Sequence, residues 1–399
     1  MKGCEEWHKM NRRSFIAKTG MGVGAMALAD PLLQTVANTY GQSADGTGSL
    51  LVLCQLNGGF DVLSFLAPYQ NAVYKSKRPV LALTEKDLTV LPDNPEYGIN
   101  NLFPVFNDLY ARGNLAVIQQ VGYPDANGSH FESQEVFEYG VRNLNGTVPG
   151  KWYERLRKTY FDEPFGVLDT RTIGDPSRYG YPDNTYRGAV QDAFTRLSLE
   201  KQGTNEKRQA ILDAYSRINI RGAEIREKTA NFESSGEERG EFFRAAQLAA
   251  AGLGTQIIKL SYGGFDTHGS QDQANLDLFP KINNHFGQFV ADLKAMGMWE
   301  RTCVCFYSEF GRRNEENGSP GTDHGHGGHM ILAGPGVNGG LHGQNVSTAD
   351  LNEASLPYYV DFRAVFASCI QDWLGFDPKP VFEVNGENYD TNIGSSLFV

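Results

Sequence analysis

Four apolar runs of strand length each end in a short polar loop, and this pattern limits the folds that the chain can adopt. The runs span residues 49–56, 115–121, 255–261 and 302–306. Stretches with helical periodicity lie between and beside them, among them residues 99–112, 242–253 and 279–299. Strands that alternate with helices are typical of an α/β fold built on a mainly parallel sheet. We therefore predict this fold class.

The composition allows a sizeable hydrophobic core and argues against one class of partner. The chain has 399 residues, of which 40% are hydrophobic and 12% are aromatic, enough for one large domain or two small ones. Its formal net charge is -11. A nucleic-acid-binding protein needs a clustered basic face, so we expect no nucleic-acid partner.

The first 45 residues are predicted to be a signal and linker that precede the folded domain of residues 46–399. The run around Arg12 and Arg13 resembles a twin-arginine export signal, and the apolar stretch 21–29 that follows is too short to span a membrane stably. We expect export through the twin-arginine translocation machinery to the periplasm or the cell surface, with no membrane span in the mature chain. An amphipathic cytoplasmic helix with a chance arginine pair is the alternative.

Residues 151–241 differ in character from the rest of the chain. The segment combines a Gly-, Pro- and Tyr-rich stretch at 174–184 with a long charged helical stretch at 205–234 that has few apolar positions. We predict a helical insertion or cap over one edge of the sheet.

Polar side chains, most of them carboxylates and imidazoles, follow the four predicted strands. They are Asp61 after the first, Ser129 and its helix after the second, Asp266 and His268 after the third, and Asp323 and His324 after the fourth. Because the carboxyl ends of parallel strands share one edge of a sheet, these residues are expected to converge. Mixed oxygen and nitrogen donors suit a divalent metal ion. The alternatives are a solvated polar loop for the histidines and a turn or helix cap for Asp61.

Two further groups near these loops have more than one interpretation. Ser129, followed by Glu132, matches a capping box, but a hydroxyl at a helix N-terminus also lies where an anion is stabilised, so cap and nucleophile are both open. Arg312 or Arg313 could bind substrate oxygens or form salt bridges with nearby glutamates. Glu309 could orient a metal ligand.

The motifs G-G-F-D, S-H-F-E-S-Q, G-G-F-D-T-H, S-E-F-G-R and G-T-D-H-G-H-G-G follow the arginine pair in this order. Together they resemble the DUF1501 family of exported bacterial proteins, over nearly the whole mature chain. That family is grouped with the alkaline phosphatase and sulfatase superfamily. The resemblance implies a doubly wound, mainly parallel sheet of alkaline phosphatase-like type and two divalent metal ions, with zinc or manganese expected.

The resemblance also implies roles for individual residues. Asp61, Asp323 and His324 would hold one metal, and Ser129 would be the nucleophile. Asp266 and His268 would hold the other metal, with a third ligand from His326, His329 or His342. Here only Thr267 separates Asp266 from His268, whereas the superfamily commonly has three intervening residues at this pair. The C/S-x-P-x-R motif of ordinary sulfatases is also absent from the sequence.

These features predict an exported, metal-dependent hydrolase of a phosphate or related ester, small or polymeric, with Ser129, Arg312 and Glu309 in the catalytic site. The alternative is a non-catalytic periplasmic or surface protein that uses the same scaffold for binding or assembly. Hydrolysis without a covalent intermediate, with Ser129 as a cap alone, is a third interpretation.

Overall fold

The computed structural model describes residues 48–142, 150–161, 166–170 and 236–399, together with Gln209. The predicted export signal, residues 1–45, lies outside the described residues, and so does most of the predicted insertion at 151–241. Everything below concerns the described residues.

A central sheet of eight strands organises the domain, and a small three-stranded sheet lies beside it. The strands in chain order are β1 (Leu50–Leu56), β2 (Leu66–Ala67), β3 (Leu88–Val90), β4 (Gly98–Asn100), β5 (Leu115–Gly122), β6 (Val167–Asp169), β7 (Ile257–Tyr262), β8 (Thr302–Tyr307), β9 (Gly328–Ala333), β10 (Gly340–His342) and β11 (Val360–Asp361). The central order is β10-β5-β9-β8-β1-β7-β6, with β11 also paired to β5, and the small sheet has the order β2-β4-β3.

The central sheet is mainly parallel, as the sequence predicted. β1 pairs in parallel with both β7 and β8, and β5 pairs in parallel with β10 and β11. β9 is the exception, because it runs antiparallel between β5 and β8. The carboxyl ends of β1, β5, β7 and β8 therefore share one edge, and the segment that enters β9 begins at that same edge.

Helices cover both faces of the central sheet. They are α1 (Ala72–Lys77), α2 (Pro104–Ala111), α3 (His130–Tyr139), α4 (Trp152–Tyr160), α5 (Gly236–Ala250), α6 (Gln271–Ala295), α7 (Thr348–Asn352), α8 (Phe362–Ser368) and α9 (Lys379–Phe382). Short 3-10 turns occur at Val62–Ser64, Glu85–Asp87 and Trp299–Arg301, and a π-helical turn, Cys369–Trp373, follows α8.

Alternation along the buried strands divides the core into two layers. On one face Val52 and Phe306 pack against aromatic side chains of α2, α5 and α6, including Phe286. On the other face Leu53 and Cys305 lie with α3, α4 and α8. Because each strand buries both faces, the near-continuous apolar runs are explained, and the doubly wound α/β prediction is confirmed.

Two predicted boundaries differ from the observed ones. The helix expected from residue 99 begins only at Pro104, since residues 98–100 pair as β4 and a proline is favoured in the first helical turn. The first part of the predicted insertion is α4, and its Trp152 is buried against Phe366 and Phe382 in the sheet domain.

A membrane-spanning helix would need a long apolar stretch, and no helix among the described residues has one.

Candidate metal centre

The carboxyl edge of the sheet brings three imidazoles together around one carboxylate oxygen, Oδ1 of Asp266. Asp266 and His268 follow β7, His324 lies in the loop between β8 and β9, and His130 is the first residue of α3. His268 Nε2 lies 3.0 Å from this oxygen, His324 Nε2 3.1 Å and His130 Nε2 3.4 Å. The strand-end argument therefore holds for Asp266, His268 and His324.

His130, Asp266 and His324 form a group of metal-binding type. Each can offer one ligand atom, and these atoms all lie within 4.8 Å of one another. His268 adjoins the group, since its Nε2 lies 3.0 Å from the Nε2 of His324. The rings of His130 and His324 pack edge to face and both lie against Phe310, which forms an apolar side of the site.

Each of the three imidazoles is held through its other nitrogen, Nδ1. Nδ1 of His130 lies 2.7 Å from Glu309 Oε1, and Nδ1 of His268 lies 3.1 Å from Asp323 Oδ1. Nδ1 of His324 lies 2.8 Å from the carbonyl oxygen of Gly128. A carbonyl and an ionised carboxylate only accept hydrogen bonds, so this arrangement favours the proton on Nδ1 in all three rings.

The consequence is a concentration of lone pairs. With Nδ1 protonated, three Nε2 atoms are directed with their lone pairs towards a carboxylate oxygen, and His130 Nε2 is buried without any hydrogen-bond partner. A divalent cation bound among these lone pairs would satisfy them, in addition to the charge that Arg312 already places on Asp266 Oδ1. Imidazoles that bind a metal through one nitrogen and donate from the other to a carboxylate or carbonyl are the usual pattern in metal sites.

The donor set fits a zinc-like ion. Two nitrogens bound at about 2.0–2.1 Å to one tetrahedral ion stand roughly 3.3 Å apart, close to the 3.0 Å between the Nε2 atoms of His268 and His324. Three imidazoles and one carboxylate are borderline and hard donors, which suit zinc and related divalent ions.

Glu309 is fully buried and orients His130. Besides the His130 ring, its carboxylate accepts hydrogen bonds from the Gly58 backbone N–H at 2.9 Å and from Gln134 Nε2 at 3.1 Å. This is the placement expected of a residue that fixes a metal ligand, although the sequence did not indicate which ligand.

Arg312 differs from the prediction that it binds substrate oxygens. Its side chain is buried, and its three guanidinium nitrogens donate to the backbone carbonyls of Gly58, Gly59, Phe265 and Thr322. It also donates to Asp266 Oδ1 at 2.5 Å. Arg312 thus ties three site loops together. Arg313, the neighbouring candidate, is exposed.

Asp61 also differs from its predicted role as a metal ligand. Arg78 contacts both of its carboxylate oxygens, at 2.6 and 3.0 Å, and Ser64 and Gln271 donate to Oδ2. Burial raises the pKa of Asp61, but the charge and hydrogen bonds of Arg78 outweigh it, so the pKa lies below its usual value. Both carboxylate oxygens of Asp61 are therefore engaged with protein groups.

Asp323 lies behind His268 instead of facing the other ligands. Hydrogen bonds from Asn317 and His268 lower the pKa of Asp323. At Asp266, burial raises the pKa, while the hydrogen bond and the charge of Arg312 act in the opposite direction, and the pKa lies below its usual value. Both carboxylates therefore stay ionised at neutral pH, which favours cation binding.

Ser129 caps helix α3, as its sequence context predicted. Its Oγ accepts from the Glu132 backbone N–H at 3.5 Å, and its own N–H donates to Asn127. Ser129 lies between Gly128, whose carbonyl holds His324, and His130. Ser129 is therefore adjacent in sequence to two residues of the site, and it is half-buried.

The other predicted histidines lie outside the group. His326 Nε2 contacts the Tyr123 carbonyl at 2.6 Å. Both nitrogens of His342 in β10 contact protein groups, Ser395 Oγ and the Asn338 carbonyl. His329 is buried in β9 beside Gln120. None of these three histidines lies in the group, whereas His130 does.

His130 was missed by the sequence analysis although a signal existed. It directly follows Ser129 in the loop after the second strand, so the expected convergence of strand ends included it equally.

The G-G of the first loop has a structural reason: Gly58 has φ 120°, and an added Cβ would overlap the Asp266 backbone.

Comparison with known proteins gives one family match. The model of the family DUF1501, described as a protein of unknown function, matches residues 191–389. This range contains Asp266, His268, Asp323 and His324 but not His130. No curated protein matches the chain.

Several solved structures align with the chain at low identity. The PsFucS1 sulfatase from Pseudoalteromonas sp. is 10% identical, with 87% of this chain and 72% of that chain covered and a TM-score of 0.36. The alkaline phosphatase from the Antarctic bacterium TAB5 is 13% identical, with 73% and 92% covered and a TM-score of 0.33. The C-terminal periplasmic domain of EcEptC from Escherichia coli, solved in complex with Zn, is 10% identical, with 89% and 94% covered and a TM-score of 0.33.

Proposed function

Since the chain belongs to the DUF1501 family, whose description assigns no function, we propose from its site that it is an exported, metal-dependent hydrolase of a phosphate or related ester. The observation that carries the proposal is the convergence of three Nδ1-anchored imidazoles on the Asp266 carboxylate. His130, Asp266 and His324 would hold a divalent ion, and the fourth position, beside His268, would stay open for a substrate oxygen.

A bound divalent ion at this position would supply Lewis-acid polarisation of an ester oxygen. The chain's own residues would do the remaining work. Glu309, Asp323 and the Gly128 carbonyl keep the three imidazoles in the tautomer that leaves Nε2 free. Arg312 holds Asp266 in place and offsets part of its negative charge.

Ser129 is the nucleophile that we propose for ester cleavage. It stands at the N-terminus of the ten-residue helix α3, where backbone N–H groups and the helix dipole favour an anionic group.

Arg313 is an exposed cation in the loop between β8 and β9 and could bind a non-bridging oxygen of the substrate. The substrate would enter from the solvent side, where Asp266 and His268 are 49% and 47% exposed.

The number of ions is proposed as one. The family resemblance implies two, but within the described residues a single group of histidine and carboxylate ligands converges. Asp61, which the two-ion arrangement would need, is paired with Arg78. His342, one of the three histidines considered for the third ligand of the second metal, contacts Ser395 and Asn338. Zinc suits the three imidazoles best, and manganese is the second choice.

Metal content of the full chain tests this proposal. Protein recovered after native export should carry one divalent ion by elemental mass spectrometry, and His324→Ala and Asp266→Ala should lose it. His326→Ala is the matched control, because His326 lies in the same loop but contacts the Tyr123 carbonyl. The wild type should hydrolyse aryl phosphate or sulfate esters. Well-folded protein without any ion, or equal loss in His326→Ala, would contradict the proposal.

A binding or assembly role on the same scaffold is the second candidate. It is favoured by Asp61, predicted as a metal ligand, and by Arg312, predicted as a catalytic residue, because both contact protein groups. Retained metal with no hydrolysis of any ester in the panel would support this role over the enzyme.

A further inference from the structure

One buried side chain, Gln271, joins the two loops that carry His268 and His324. Gln271 is the first residue of α6 and is fully buried. Its Oε1 accepts hydrogen bonds from Thr267 Oγ1 at 2.9 Å and from Thr322 Oγ1 at 2.6 Å. Thr267 stands between Asp266 and His268, and Thr322 precedes the Asp-His pair of the other loop.

The other end of the same amide faces Asp61. Gln271 Nε2 donates to Asp61 Oδ2 at 2.5 Å and to Ser64 Oγ at 3.2 Å. An ionised carboxylate can only accept, so the amide must direct its nitrogen to Asp61 and its oxygen to the two threonine hydroxyls. The orientation of Gln271 is thereby fixed without ambiguity.

Arg78 is the last member of this network and contacts Asp61. It holds Asp61 through two contacts and also donates to the carbonyls of Arg313 and Asn314, at 2.8 and 2.9 Å. Arg313 belongs to the loop that leads to His324. The buried network therefore connects the loops after β1, β7 and β8.

We infer that Asp61, through Gln271 and the hydroxyls of Thr267 and Thr322, positions the two loops that present His268 and His324. This inference rests on the proposed metal site and assigns Asp61 and Gln271 as positioning residues that do not touch the ion. Backbone pairing between Thr322 N–H and the Thr267 carbonyl also links the loops. Loss of one hydroxyl therefore loosens the side-chain geometry without separating the loops.

The test uses the full chain and exchanges one hydroxyl for a methyl group. Thr322→Val keeps the shape but removes the donor to Gln271, whereas Thr322→Ser keeps the donor. Zinc affinity, measured by competition with a chelating dye, should fall roughly ten- to a hundredfold in Thr322→Val, the usual effect of losing a residue that orients metal ligands. Thr322→Ser should stay near the wild-type affinity.

A second pair of variants keeps the test valid if a variant of the first pair does not fold. Thr267→Val and Thr267→Ser probe the other hydroxyl, and each variant is checked by its thermal unfolding midpoint. Equal zinc affinity in all four variants and the wild type would overturn the inference and leave the metal site standing.

A readout without metal separates this inference from the proposed function. Hydrogen exchange of the metal-free chain should be faster over residues 265–271 and 311–325 in the two valine variants but not in the serine variants. If the wild type binds no zinc, the proposed function fails, and the exchange result alone decides the inference. Unchanged exchange in the valine variants would reject it.

Discussion

Each imidazole of the site is defined by the group that its Nδ1 contacts, and this makes the contacting residues as important as the rings. Glu309 is the clearest case, because it is fully buried and lies 2.7 Å from His130. Glu309→Gln should lower zinc affinity roughly tenfold, since an amide no longer fixes the tautomer of the ring. Glu132→Gln, an exposed change on the same helix, should have no effect in the same titration.

The two roles of Ser129 can be separated by substitution. Asparagine at this position keeps a helix cap but removes the hydroxyl, and alanine removes both. Ser129→Ala should lower the free energy of unfolding by about 1 kcal/mol, and Ser129→Asn by only a few tenths. Both should abolish ester hydrolysis if the hydroxyl is the nucleophile. Chemical denaturation and an ester assay measure the two effects, and activity in Ser129→Asn would leave Ser129 as a cap alone.

The sequence predicted residue types better than residue roles. Asp266, His268 and His324 could be predicted as neighbours because a strand end fixes where a loop begins. Asp61 could not be told from a ligand, since its partner Arg78 carries no signal for burial in the sequence. Arg312 likewise looks like a substrate-binding residue until its carbonyl partners are known. A carboxylate or guanidinium group takes its role from its neighbours, which only the fold supplies.

At the level of whole loops, two backbone segments must approach closely for the ligands to meet. Gly321 marks this approach, because an added Cβ would overlap backbone atoms of His268 and Gly269. Gly321→Ala should lower the free energy of unfolding by about 1–3 kcal/mol and weaken zinc binding with it. Gly318→Ala is the control in the same loop, since nothing lies within 4 Å of its added Cβ. Equal behaviour of the two variants would contradict this account.

The bounds of a strand were predicted well where an apolar run defines the strand. The direction of a strand was not predicted, because it depends on pairing with other strands. The apolar run of β1 was predicted to within one residue, but nothing in the run of β9 indicates that it is antiparallel. Direction depends on the loop of residues 308–327, which returns the chain along the site edge. Periodicity describes burial of an element and carries no information about its direction.

For the molecule as a whole, stability should depend on pH through buried His329. Burial lowers its pKa from 6.5 to about 4. Because the folded pKa lies below the unfolded one, the unfolded chain binds the proton first as pH falls. The contribution is complete above about pH 6.5 and is lost between there and about pH 4, amounting to about 3 kcal/mol. Urea denaturation at about pH 7.5, 6.5, 5.5 and 4.5, which together cover this window, should show the loss.

His329→Gln provides the control for this pH dependence. The variant should lose most of the slope above about pH 5, while the lowered pKa values of Asp61 and Glu138 still cause a fall at more acidic pH. An unchanged slope in the variant would assign the effect to other groups.

The strand order has a consequence for the order in which folding and ion binding occur. The ligand loops follow β5, β7 and β8, which are far apart in the sequence and meet only through β1 and β9 in the sheet. Closing such distant contacts is the slow part of folding. We therefore expect an ion to bind only after the sheet has formed. Binding of the ion would then stabilise the folded domain after the transition state of folding. It would slow unfolding far more than it speeds folding.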